Sequence, residues 1–226
     1  MTRSTTARLA GVAFLAYIGT GIADLIVFGK AASGVDTAAR LANVAQHVTA
    51  VRICALLELL TFFEAATLAV TLYALTRDED AELSLLAFAC RIAEGVLGAV
   101  AATATMRLAS AAAASVTGAA DSEAAHALAT SLLVRSGSSG NIGALCFAVG
   151  STLFCCLFLR ARSIPSALAW LGVIASVLLV IALPVQLAGF LPRTLEWPIW
   201  MPKLDFALTL DMWLIATGMA RRSAAT

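Results

Sequence analysis

Long apolar stretches separated by short polar segments dominate the chain. Six of them are long enough to cross a bilayer, whose hydrocarbon core requires about 20 residues of α-helix. The six stretches cover residues 9–29, 49–76, 82–109, 141–159, 166–190 and 202–220. This pattern predicts an all-α integral membrane protein, a bundle of about six transmembrane helices that forms a single domain over residues 1–226.

Two polar connections contain short amphipathic segments. After the first stretch, Asp36 can cap a helix, and we expect that helix to continue without a break into the second span. After the third stretch, the Ala/Ser/Gly-rich segment Ser110–Gly118 predicts a linker. The segment Asp121–Val134 is too short to span, so it predicts an interfacial helix that ends at Ser136–Gly137.

Charged residues and prolines predict the other connections. Arg77–Asp80 predicts a tight turn between spans two and three. Pro184 predicts a kink in the fifth span, because proline removes a backbone hydrogen bond. Two prolines and two tryptophans between Leu191 and Met201 predict a rigid loop at interfacial depth.

Basic residues at the span ends predict the orientation. Six spans place both termini on one side, together with seven arginines: Arg3, Arg8, Arg77, Arg160, Arg162, Arg221 and Arg222. The other side has five basic residues: Lys30, Arg40, Arg135, Arg193 and Lys203. Because cytoplasmic loops carry the excess of lysine and arginine, we predict that both termini are cytoplasmic.

Composition supports the membrane assignment and excludes several functions. The chain is 61% hydrophobic and 13% charged, with a mean hydropathy of +0.91, whereas soluble domains are about 25% charged. A net charge of +1 without a basic patch argues against nucleic-acid binding. The five cysteines lie inside apolar stretches without ligand spacing, and neither histidine lies deep in a span, so no metal or other cofactor is predicted.

Charged residues inside the apolar stretches are the candidate functional residues. A charge at the centre of a membrane helix costs about 2.5–3.5 kcal/mol, so it faces a partner or a wet cavity and marks function. The predicted catalytic residues lie near mid-membrane: Glu64, Arg91, Glu94 and Asp211. The predicted substrate-binding residues lie nearer the outer face or supply an aromatic lining: Arg52, Glu58, Arg107, Asn141, Asp205 and Trp213. Together they predict a cavity that opens outward and ends at the membrane centre.

Two of these residues are expected to form an ion pair. Arg91 and Glu94 are three residues apart, so they share a helix face and can bond directly. Such a pair either fixes helix packing or takes part in function, and the sequence favours neither interpretation.

The embedded acids outnumber the embedded bases. There are five acids (Glu58, Glu64, Glu94, Asp205 and Asp211) and three bases (Arg52, Arg91 and Arg107). At least one carboxyl therefore lacks a cation, and because burial disfavours the charged form, we expect it to be protonated at neutral pH. A buried neutral carboxylic acid can donate a proton. For Glu64 and Asp211 this favours a functional role over a structural one.

Five stretches spread over most of the chain carry a family resemblance. They are Arg8–Gly11, Phe88–Arg91, Asn141–Gly150, Leu159–Val173 and Met212–Gly218. In these stretches the chain resembles a bacterial multipass membrane family catalogued as domain of unknown function 4386. The resemblance implies a location in the bacterial cytoplasmic membrane, and the family carries no agreed reaction or site.

The layout also resembles that of the small membrane-bound cyclases of meroterpenoid pathways. Those terpenoid cyclases are of similar size, have about seven helices, and rely on a glutamate in an early helix and an aspartate in the last. Glu64 and Asp211 occupy comparable places. The resemblance implies that these two acids start a cyclisation.

Three functions remain open. The first is a membrane-embedded enzyme, a cyclase or isomerase that protonates a lipophilic substrate of terpenoid or polyketide type. The second is a small proton-coupled transporter or exporter, in which the same acids carry protons. The third is a membrane scaffold or stress protein whose charges hold the helices together. The expected partners are the lipid bilayer and a lipophilic small molecule, and a homodimer is compatible with each function.

Overall fold

The described part of the chain consists mainly of long α-helices. The structure is a computed structural model that describes residues 2–116, 122–191 and 196–217. The helices are α1 (Arg3–Ala31), α2 (Thr37–Gln46), α3 (Val48–Thr76), α4 (Ala81–Val116), α5 (Ser122–Ala161), α6 (Ser166–Leu187) and α7 (Glu196–Thr217). The described residues form no strand, which confirms the all-α prediction.

Most of these helices have the length and composition of membrane spans. Among the described residues, α1, α3, most of α4, residues 142–161 of α5, and α6 are long and apolar enough to cross a bilayer. Large apolar side chains on them are exposed, among them Leu56, Ile174 and Ile181 at 62–65%. The last helix, α7, is 22 residues long but carries Lys203, Asp205 and Asp211.

The first polar connection agrees with the predicted cap but not with the predicted continuity. Asp36 accepts a hydrogen bond from the backbone N–H of Ala39 at 2.7 Å, so it caps α2. However, α2 ends at Gln46, and the φ of −117° and ψ of 34° of the next residue, His47, are not helical. The backbone N–H of His47 donates to two carbonyls of the preceding turn. The prediction that α2 continues without a break into α3 is therefore wrong.

Three predicted boundaries are wrong because helix persists where small residues or prolines suggested loops. The predicted linker Ser110–Gly118 is helical up to Val116. The predicted interfacial helix Asp121–Val134 is not separate, because α5 runs for 40 residues through Ser136–Gly137; Asp121 itself lies outside the described residues. Serine and glycine cost a helix at most about 1 kcal/mol each relative to alanine, and a helix satisfies its own backbone hydrogen bonds in lipid.

The third wrong boundary is the start of the last helix. The predicted rigid loop extended to Met201, but α7 begins at Glu196. Proline is tolerated in the first turn of a helix, where its missing N–H has no intrahelical partner, and Pro198 occupies that turn. Pro184 lies inside α6 as predicted, and the charged turn Arg77–Asp80 connects α3 to α4.

The chain forms two compact units, each with its own core. Unit 1 comprises residues 1–17, 64–94 and 143–226, and unit 2 comprises residues 18–63 and 95–142. The core of unit 1 is rich in leucine and alanine and includes Phe154, Phe158 and Phe206. The core of unit 2 is built mainly from alanine, leucine and valine.

Candidate functional site

A buried ion pair lies within unit 1. Nη1 of Arg91 is 2.7 Å from Oε2 of Glu94, and the two residues are only 2% and 7% exposed. The predicted pairing is confirmed. The hydroxyl of Tyr17, on α1, donates a hydrogen bond to the other carboxylate oxygen of Glu94. Glu94 is therefore held from two helices.

Aromatic rings surround the guanidinium of Arg91. Its Cζ lies 5.9 Å from the ring centroid of Phe14, 5.1 Å from that of Tyr17 and 4.9 Å from that of Phe147. Ring faces attract cations electrostatically. The Nε and Nη2 atoms of Arg91 have no hydrogen-bond partner among the described residues. The cation is thus stabilised by one carboxylate and three rings, while part of its donor capacity is unused.

A second buried cation was missed in the sequence. Lys203, on α7, is 2% exposed, and its Nζ donates to Oγ of Ser176, on α6, at 2.8 Å. The ammonium also lies 5.2 Å from the ring centroid of Phe147 and 4.7 Å from that of Phe206. The prediction that Lys203 lies in an outer connection is wrong, because α7 begins seven residues before it.

A small cavity lies beside these two cations. The centre of a water molecule can occupy about 20 Å³ of it. This is enough space for water but not for a long hydrocarbon chain. The lining comes entirely from unit 1 and combines apolar side chains, half of them phenylalanine, with the two cations and a hydroxyl: Phe14, Leu68, Leu72, Arg91, Ser151, Phe154, Cys155, Phe158, Lys203, Phe206 and Leu210.

Asp211 is buried without a partner. The residue is 0% exposed, and neither carboxyl oxygen makes a hydrogen bond to any described residue. It follows Leu210, which lines the cavity. Opposite it, a Cβ on Gly11 would lie 3.0 Å from the backbone oxygen of Asp211, so glycine permits α1 to approach α7 closely here. Buried polar groups normally find partners, which makes this carboxyl exceptional.

Glu64 lies at the start of the α3 segment of unit 1 and is half-buried. The cavity described above is lined by Arg91 but by neither Glu64 nor Asp211. A shared cavity for these two acids, with Glu94 and Arg91 beside them, stays a prediction.

The predicted outer residues are divided between the two units. In unit 2, Arg52 and Arg107 are exposed, whereas Glu58 is half-buried and accepts a hydrogen bond from Thr105 at 3.0 Å. The side chain of Asn141 lies outside the described residues.

In unit 1, Asp205 is exposed and Trp213 packs against the core of that unit. Neither of these two residues lines the cavity. Their role in substrate binding, like that of the unit 2 residues, stays a prediction.

Tyr17 was the other residue missed in the sequence. It is the only tyrosine of the first apolar stretch, and a buried tyrosine hydroxyl usually requires a hydrogen-bond partner. The sequence could therefore indicate that Tyr17 needs a partner. It could not indicate which one, because Glu94 lies 77 residues away. Among the described residues, no group of three or more His, Cys, Asp or Glu side chains is placed to hold a metal ion.

Apolar helices of bilayer length around buried charges define an all-α, multipass integral membrane protein in contact with lipid. The chain belongs to the family described as Domain of unknown function (DUF4386), whose model matches residues 9–218. This confirms the family resemblance seen in the sequence. No curated protein and no solved structure shows a significant match, and nothing in these comparisons supports the resemblance to terpenoid cyclases.

Proposed function

We propose that the protein is a membrane-embedded enzyme that cyclises or isomerises a lipophilic substrate of terpenoid or polyketide type by proton transfer. The observation that carries the proposal is the carboxyl of Asp211, which is fully buried without a hydrogen bond or ion pair to any described residue. Burial disfavours the charged form of an acid. A protonated acid in a site that excludes water can act as a general acid.

The roles of the other acids follow from their contacts. Glu94 is bound by Arg91 and Tyr17, so we assign it the role of positioning Arg91 and balancing its charge. Glu64, on α3, is the candidate relay that returns a proton to Asp211. In an isomerisation, Asp211 gives a proton to one atom of the substrate, and Glu64 takes a proton from another atom and passes it to Asp211, so no further reactant is required.

The cations beside the cavity favour one type of reaction over another. Arg91 and Lys203 would repel a carbocation but would stabilise negative charge that develops on a substrate oxygen. A substrate whose oxygen reaches these cations therefore suits the protein better than one that reacts through a carbocation beside them. This favours the polyketide type of substrate over a terpenoid hydrocarbon.

The test is the product profile of cells that carry acid-to-amide variants. Asp211→Asn and Glu64→Gln keep the side-chain size but remove the acid, and we expect loss of the product detected by mass spectrometry and NMR of lipid extracts. Glu82→Gln is the matched control, because Glu82 is exposed in the first turn of α4. Each variant is first shown to reach the membrane at wild-type level. An unchanged product profile with Asp211→Asn would contradict the proposal.

A second candidate is a small proton-coupled transporter. The observation that favours it is the small cavity of about 20 Å³, since a carrier closes around its cargo and must open to exchange it. For a transporter, Asp211→Asn uncouples uptake from the proton gradient in proteoliposomes, and the cargo leaves chemically unchanged. Both candidates take a lipophilic small molecule in the bacterial cytoplasmic membrane, with both termini cytoplasmic, and both are compatible with a homodimer.

A further inference from the structure

The charges around the cavity of unit 1 do not balance. The positive charge of Arg91 is offset by Glu94. Lys203 forms no ion pair with any described carboxylate, and its polar partner is the neutral hydroxyl of Ser176. The carboxylate of Glu94 acts on Lys203 only from beyond ion-pair distance. The cavity wall therefore carries one positive charge in excess.

Both cations have hydrogen-bond donors to spare. An ammonium group has three N–H donors, and the polar partner described for Lys203 takes one of them. The Nε and Nη2 atoms of Arg91 have no hydrogen-bond partner among the described residues. Both side chains line the cavity and are 2% exposed. An unpaired charge buried in apolar surroundings is costly, so this arrangement favours a bound group of opposite charge.

We propose that this cavity binds one small monoanionic group, the size of a halide ion or a carboxylate. One excess positive charge calls for a single negative charge. The centre of a water-sized sphere can occupy only about 20 Å³ of the cavity, so the cavity admits only a small group. The hydroxyl of Ser151, which also lines the cavity, adds a hydrogen-bond donor. The group is either a free ion or the head of a lipophilic acid.

This inference shares Arg91 and Lys203 with the proposed function but goes beyond the proposed proton transfer. Asp211 does not line the cavity, and on a regular helix it is about 12 Å along α7 from Lys203. Anion binding therefore requires neither a proton from Asp211 nor an enzymatic reaction. The two proposals can fail independently.

The test is thermal unfolding of the purified full-length protein in detergent with different anions at one ionic strength. Sodium bromide and decanoate are compared with gluconate, which is too bulky for the cavity, and with methyl decanoate, which is uncharged. A ligand that binds only the folded state raises Tm. We expect bromide or decanoate to raise the wild-type Tm by about 2–4 °C or more, and gluconate and methyl decanoate to leave it unchanged.

The decisive variant is Lys203→Met, which removes the charge and keeps an unbranched side chain. We expect it to lose the anion-dependent rise in Tm, whereas Lys203→Arg retains it. The chain has only one other lysine, Lys30, which is exposed at the end of α1, so Lys30→Met is the matched control and should respond like wild type.

The pattern of responses identifies the source of the anion. A lysine-dependent rise with bromide supports a free small ion, and one with decanoate alone supports the head of a lipophilic acid. No rise with either anion overturns the proposal, and so does an equal rise in Lys203→Met. If Lys203→Met does not fold, crystals of the wild-type protein provide the test. The measurements are anomalous scattering from crystals soaked in bromide and electron density from crystals grown with decanoate. An anion beside Nζ of Lys203 supports the proposal, and its absence in both crystals overturns it.

Discussion

Nη1 of Arg91 lies 2.7 Å from Oε2 of Glu94, one helical turn further along α4, in a place that excludes solvent from both side chains. Taking two charges out of water costs several kcal/mol for each ion, and their attraction repays this cost only in part. Tyr17 adds a hydrogen bond to Glu94, and three rings enclose the guanidinium. Loss of one partner therefore leaves the other as an uncompensated buried charge, whereas loss of both does not.

Removal of Arg91 alone should destabilise the protein more than removal of the pair. Arg91→Met strands the carboxylate of Glu94, a loss of about 3–5 kcal/mol, whereas the additional change Glu94→Gln should restore most of the stability. The measurement is thermal unfolding in detergent. The control is Arg160→Met, because Arg160 pairs with Asp80 at 3.3 Å on the surface and such pairs contribute only about 0–1 kcal/mol. Equal stability of the single and double variants would show that the pair is not buried.

Gly172 is predicted to be required for the packing of α6 against α7. A Cβ at this position would lie 2.5 Å from two ring atoms of Phe206 and 2.7 Å from Sγ of Cys155. Overpacking of this kind costs about 1–3 kcal/mol, so Gly172→Ala should lower Tm, and Phe206→Leu should recover part of the loss. Gly98→Ala is the control, because a Cβ there meets nothing within 4 Å. A Gly172→Ala variant as stable as wild type would contradict the close approach.

The membrane orientation can be tested at exposed turns. In a background without the five native cysteines, Asp78→Cys lies in the α3–α4 connection and Ser33→Cys in the α1–α2 connection. Ser166→Cys lies at the exposed first residue of α6, directly after the α5–α6 connection. The excess of arginine predicts that Asp78→Cys and Ser166→Cys are cytoplasmic. A membrane-impermeant maleimide should therefore label intact cells at Ser33→Cys alone. Labelling of Asp78→Cys from outside would reverse the predicted orientation.

The helices were predictable from the sequence to the extent that length and apolarity determine a membrane span. The α3 helix differs from its predicted span by one residue, since the polar turn Arg77–Asp80 marks its end. The boundaries of α5 and α7 were not predictable in this way. Their Ser/Gly and proline residues are typical of loops in water, whereas at the edge of a membrane a helix that satisfies its own backbone is preferred.

The candidate site was predictable only where its contacts are local. Arg91 and Glu94 lie on one helix, so their spacing predicts their pairing. Tyr17 and Lys203 reach partners on other helices, at sequence separations of 77 and 27 residues. Tertiary packing determines which helix faces meet, and a linear pattern of polar positions does not contain that information.

Variants at Asp211 distinguish a functional acid from an acid that holds the helices together. A buried polar group without a partner costs about 1–3 kcal/mol, and a cost of this kind is often retained where a residue is needed for function. Asp211→Leu, which replaces the carboxyl by an apolar group of similar size, should therefore raise the free energy of unfolding by that amount. Asp211→Asn keeps a polar group and should change stability little.

The same two variants should both lose the product or the proton coupling. The control for stability is Asp205→Leu, because Asp205 is exposed on the same helix and its replacement should have little effect. The measurement is thermal unfolding in detergent, combined with the product profile of the same variants. A gain in stability together with a loss of function would identify Asp211 as a functional acid. A loss of stability in Asp211→Leu would instead show that the carboxyl has a structural partner, which favours the scaffold and contradicts the proton donor.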